Sequence, residues 1–103
     1  MPDMLARLHA TFDTLGGASK KMFGGVCFML NGNMVAGTSK RGLLVRVGKE
    51  FDNISAKRED AHVMDMGGRV MAGYWFVDNE VDDSAYQFWI AAALAHNKML
   101  EPK

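Results

Sequence analysis

Apolar residues recur along this chain with two distinct periods. Leu5, Leu8, Phe12 and Leu15 follow helical spacing, with Arg7, Thr11 and Thr14 on other faces. Pro2 and Asp3 suit a helix start and Gly16-Gly17 a stop, so a helix is predicted over Asp3–Leu15. The next segment, Lys20–Leu30, is read as one core strand. Its apolar residues Met22, Phe23, Val26, Cys27, Phe28, Met29 and Leu30 are mostly strand formers. Asn31-Gly32 follows and then Met34-Val35-Ala36. Asn-Gly between two apolar runs predicts a two-residue hairpin, because both residues tolerate positive φ. Ser39–Gly42 reads as the next turn, Leu43–Val47 as a third strand and Gly48 as its end.

The second half is less regular. Lys49–Lys57 is a weak helix, with Phe51 and Ile54 facing inward, and Arg58–Ala61 is loop-like. Val63–Met66, a Gly67-Gly68 turn and Arg69–Val77 form a second hairpin. Both faces of its long strand are largely apolar: Val70, Ala72, Tyr74 and Phe76 on one, Met71, Gly73, Trp75 and Val77 on the other. One face should meet the helices. The other needs a cover, which in a small domain is often a second subunit. After a turn at Asp78–Glu80, Asp82 or Asp83 caps a helix to about Asn97, with Tyr86, Trp89, Ile90, Ala93 and Leu94 as its buried stripe. The order α-β-β-β-α-β-β-α predicts an α+β fold of two layers, a five-stranded antiparallel sheet with helices mainly on one face.

Length and charge narrow the function classes. A chain of 103 residues fits a single domain spanning residues 1–103. The formal net charge is zero, whereas a stand-alone DNA-binding domain usually carries a basic excess. Cys27 is the single cysteine, so no internal disulfide forms, which suits a reducing cytoplasm. Neither a signal peptide nor a membrane-spanning stretch is visible, and no membrane partner is expected.

Candidate chemistry is sparse. His9, His62 and His96 are far apart and lack ligands at metal-binding spacing, so no metal or cofactor is expected. Cys27 sits between Val26 and Phe28, where burial makes a thiol inert. Gly24-Gly25 and Gly67-Gly68 match neither a Walker nor a Rossmann loop and read as backbone devices, a bulge or close approach and a hairpin. The acidic run Asp78, Glu80, Asp82 and Asp83 lacks the glycine and glutamate of a calcium loop. The basic residues are scattered. Lys20-Lys21, with Arg46 and Arg69, are the candidate contacts for an anion or nucleic acid. Nine methionines, several on the expected strands, suit core filling or an adaptable partner surface. No catalytic residue emerges. A minor alternative, a small enzyme or ligand binder with a pocket between sheet and helices, predicts a buried polar cluster near Arg46, Asp65 or Tyr74.

Three strings carry a resemblance. Lys21–Met29 with its Met22-Phe23-Gly24-Gly25 core, Asn31-Gly32-Asn33-Met34, and Leu44–Gly48 around Arg46 resemble the TfoX N-terminal domain family (TfoX/Sxy). Met64–Met71, including Gly67, and Tyr74–Asp78 look like that family's second hairpin. The resemblance implies a two-layer α+β fold similar to secretion chaperones, plausible dimerisation, and a link to regulators of bacterial natural competence. Full-length competence regulators of the family carry a second, helical domain associated with DNA, and the resemblance covers the first domain alone, so a DNA-binding role is not expected of this domain by itself. The resemblance therefore implies a non-catalytic interaction module acting as a homodimer or with a protein partner. The alternative is a nucleic-acid-associated co-regulator.

Overall fold

A computed structural model describes residues 4–22, 25–39, 42–66, 69–78 and 80–101, the side chains of residues 22, 39, 64–66, 69 and 70 excepted. Helix α1 (Met4–Thr14) is followed by strands β1 (Ala18–Met22), β2 (Gly25–Leu30), β3 (Asn33–Ser39) and β4 (Gly42–Arg46). A 3₁₀ turn (Lys49–Phe51) runs into the single-turn helix α2 (Asp52–Ser55). Strands β5 (Ala61–Met66) and β6 (Arg69–Val77) and helix α3 (Asp83–Lys98) complete the chain. The six strands form one antiparallel sheet in the order β1-β2-β3-β4-β6-β5.

The α+β class and antiparallel sheet are as expected, but the strand count is not. Lys20–Leu30 is two strands of a hairpin. Met22 faces Gly25 and Lys20 faces Cys27 across it. The expected bulge at Gly24-Gly25 is therefore replaced, on its described side, by the start of β2. Phe23 and Gly24 themselves lie outside the described residues, as does Gly67. The apolar run hid the break because β1 is an edge strand of exposed Ala18, Ser19, Lys20 and Lys21, without the alternation of a half-buried strand.

Asn31 and Gly32 have φ of 57° and 81° and close the β2–β3 hairpin, with Leu30 facing Asn33. Positive φ at both positions is the turn that suits the strands' twist. The register slips between Phe28 and Met29, so that β3 carries Val35 as an extra residue. Such a bulge turns two neighbours to one side, and Val35 and Ala36 are both fully buried.

One face of the sheet holds the core. Phe28, Leu43, Val45, Val47, Trp75 and Val77 meet Met4, Leu8 and Phe12 of α1 and Tyr86, Trp89, Ile90 and Ala93 of α3. Asp82 caps α3, its Oδ1 accepting from Ala85 N at 2.9 Å. Arg7 Nη1 donates to the Val81 carbonyl at 2.8 Å, and the Tyr86 hydroxyl meets Thr11 Oγ1 at 2.8 Å, tying α1 to α3. The weak middle helix shrinks to one turn. Phe51 packs on Phe88 and Trp89, but Ile54 is 48% exposed and Ser55 is buried in its place. The preceding 3₁₀ turn has three residues per turn, which shifts the inward face.

Candidate functional site

Two features outside the core offer chemistry. The first is the sheet face turned away from the helices. Register places Lys20, Cys27, Gly37, Leu44, Phe76 and His62 in one row across all six strands. Met29 and Met34 flank the row, also paired. Cys27 and Phe76 are buried yet belong to no part of the main core, while Leu44, Met29 and Met34 are half-buried. Burial pushes the Cys27 thiol's pKa up, which disfavours the thiolate.

The second feature lies at the end of the sheet. Gly73 sits in the middle of β6 with φ 85°. Val63 faces Trp75, but Asp65 faces Val70, so β6 bows out over residues 71–74. The Gly73 carbonyl accepts from Val47 N at 2.8 Å and Gly48 N at 3.2 Å. Asp52 Oδ1 accepts from Gly73 N at 3.1 Å and Trp75 Nε1 at 2.9 Å. A Cβ at Gly73 would meet Gly48 C at 3.0 Å, so the close approach of the two backbones requires glycine at 73. A Cβ at Gly48, φ 88°, would lie 2.6 Å from His96 Nδ1.

The last turn of α3 closes this corner. Met99 N donates to the His96 carbonyl and Leu100 N to that of Asn97. Asn33 Nδ2 donates to the Glu101 carbonyl at 2.9 Å and anchors the tail. A recess of about 170 Å³ remains, walled by Arg46, Gly48, Lys49, Ala72, Gly73, Tyr74, His96 and Leu100. Arg46 holds its guanidinium carbon 5.7 Å from the centre of the Tyr74 ring. Among the described residues no carboxylate pairs with it. His96 Nδ1 is buried without a hydrogen-bond partner. Burial, then the charge of Arg46, lowers the His96 pKa, against a smaller opposing effect of Glu50.

The expected site residues do not gather in one place. Lys20 and Lys21, consecutive on β1, are exposed on opposite faces. Lys20 and Arg46 share a face but stand three strands apart, about 15 Å by strand spacing. Arg69 opens β6, its side chain outside the described set, and Met22 is placed by its backbone alone. Lys20, Asn31 and Gly32 do share a wide, open depression beside Met29. A cavity does lie beside Arg46 and Tyr74, but at the end of the sheet rather than between sheet and helices. The Asp65 side chain lies outside the described set. His96, Gly48, Lys49 and Leu100 have no counterpart in the sequence reading, since residues 46–49, 72–74 and 96–100 are remote along the chain. A glycine inside β6 is the one local signal.

Residues 11–97 match the model of the TfoX N-terminal domain. The chain belongs to the TfoX N-terminal domain family. The match runs from within α1 to the last turn of α3, so it takes in the whole sheet, the helix-free face and most of the recess. No match to a curated protein or to a solved structure was found. As a TfoX N-terminal domain the chain is competence-regulator-like. Among the described residues, no helix is long and apolar enough to cross a membrane.

Proposed function

We infer that this TfoX N-terminal domain is a non-catalytic regulatory module that works by protein contact and pairs with a second copy through the helix-free face of its sheet. The supporting observation is the row Cys27, Gly37, Leu44 and Phe76, flanked by Met29 and Met34. It is an apolar row outside the core that the opposite face forms with α1 and α3, and Leu44, Met29 and Met34 in it are half-buried. Such faces on small domains are ordinarily covered by a partner. Methionine lends the adaptability a protein-binding surface uses. Zero net charge puts little electrostatic repulsion between two copies. The groups best suited to catalysis are otherwise engaged. Burial disfavours the Cys27 thiolate, and Asp52 and Asp60 accept structural hydrogen bonds from Trp75 and Trp89.

Nucleic-acid binding has less behind it, because Lys20 and Lys21 point to opposite faces and Arg46 stands apart from both. Light scattering on a size-exclusion column tests the pairing. Across a concentration series the mass should approach twice the 11.4 kDa of one chain. Leu44→Glu places a charge at the centre of the face and should return the protein to a folded monomer. A wild-type chain that stays monomeric at high concentration would sink the pairing.

A further inference from the structure

The geometry points to a second site: the recess between Arg46, Tyr74 and His96 binds a small organic anion, a carboxylate on an apolar body of roughly six to eight non-hydrogen atoms. Size sets the first limit. A cavity of about 170 Å³ holds the equivalent of about six waters, well below the space a drug-sized ligand fills.

The walls set the chemistry. Arg46, Lys49 and His96 supply its ionisable nitrogens, and no carboxylate lines it. Arg46 is already positioned, its guanidinium held against the Tyr74 ring, and no acidic partner among the described residues neutralises it. A guanidinium presents paired N–H donors in the geometry a carboxylate accepts. Ala72, Leu100 and the Tyr74 ring form the rest of the wall and offer contact to an aliphatic body. Gly48 and Gly73 add backbone to the wall.

His96 adds a polar handle. Its Nδ1 is buried against Gly48 without a hydrogen-bond partner, on the side where Glu50 Oε2 also approaches Gly48. Burial and the nearby Arg46 favour the neutral ring. A bound anion would offset the Arg46 charge and favour the imidazolium, so binding should take up protons. Of the charged groups about this ring, Glu50 of the 3₁₀ turn acts in the same direction as the anion and Arg46 opposes it, while Lys49 shares the recess wall. Asp52 nearby is committed to Gly73 N and Trp75 Nε1. The recess adjoins the proposed dimer face, since Arg46 and Tyr74 pair two residues along from Leu44 and Phe76; Leu44→Glu, which breaks the pairing of copies, should leave isovalerate binding in place.

Titration of the full chain with isovalerate, followed by two-dimensional amide NMR, tests the assignment. Isovaleramide serves as the neutral isostere and inorganic phosphate as an anion without an apolar body. The expected result is saturable shifts at the amides of Arg46, Gly48, Gly73 and His96. The dissociation constant should be in the low millimolar range or below, about tenfold tighter than for isovaleramide, and tighten as pH falls through the histidine range. Arg46→Met should weaken binding by about tenfold or more. Leu100→Trp, which fills the recess and keeps every charge, should also weaken it and decides the matter if Arg46→Met fails to fold. Shifts that never saturate, equal binding of isovaleramide, phosphate binding as tight as isovalerate, or binding that survives both variants would each overturn the proposal.

Discussion

Asp52→Ala should destabilise the protein out of proportion to its half-exposed position. Asp52 opens α2, and its Oδ1 accepts from Gly73 N at 3.1 Å and from Trp75 Nε1 at 2.9 Å. Gly73 and Trp75 are themselves buried, Trp75 being only 6% exposed. Alanine leaves both N–H groups without this acceptor. A buried donor left unpaired costs about 1–3 kcal/mol, and partial access to water favours the lower half of that range. The sum is about 2–4 kcal/mol, which for a domain of this size lowers Tm by roughly 10–20 °C. Asp52→Asn keeps an oxygen acceptor at the same position and should cost only about 1 kcal/mol, the loss of charge assistance. Trp75→Phe removes one of the two donors, so Asp52→Ala should cost about 1 kcal/mol less in that background. Urea denaturation followed by far-ultraviolet circular dichroism and extrapolated to water measures the wild type and all four variants. If Asp52→Ala costs less than about 1 kcal/mol, or if Asn is no better than Ala, the tether between α2 and β6 is not what holds this corner.

Gly73→Ala should cost about 3 kcal/mol or more, since φ of 85° strains an L residue and the new Cβ would meet backbone atoms of Gly48 and Lys49 at 3.0–3.1 Å; the same urea titration measures it. Ser55→Ala should leave stability unchanged or raise it by up to about 1 kcal/mol, because the fully buried Ser55 Oγ has no hydrogen-bond partner; a clear loss in Tm would reveal a bonded hydroxyl. The His96 pKa is depressed in the fold, so its contribution is complete above the unfolded value of 6.5 and is lost as pH falls through the folded value. His96→Gln should therefore flatten the fall in stability below about pH 6.5, and unchanged curvature in a pH series of melts would refute it.

The elements that could be read from sequence are those whose pattern is local. Strand β6 has the expected bounds, α1 and α3 lie within a residue or two of theirs, and the Asn31-Gly32 turn adopts the backbone its residues favour. Failure came where the sheet or a neighbour overrides local pattern. Strand β1 shows no alternation because it is an edge with exposed lysines. Val35 and Ala36 are both buried because a bulge breaks the period of two. Ile54 and Ser55 exchange places because a 3₁₀ turn resets the helical phase. The helix-free apolar face was visible as two-sided strands. The recess was not, because its walls come from three remote segments that meet only when Gly73 rests on Gly48.

The strand order also bears on how the chain reaches this state. Each strand pairs with its neighbour in sequence except at one seam, where β4 lies against β6 rather than β5. The meander from β1 to β4 and the β5–β6 hairpin can each close short loops early, at little entropic cost. Joining them must bring Arg46 opposite Tyr74 and seat the Gly73 bulge on Gly48. Refolding should therefore be limited by the seam. Substitutions at Gly73 or Asp52 should slow refolding in stopped-flow experiments, whereas changes in the outer strand β1 should mainly accelerate unfolding.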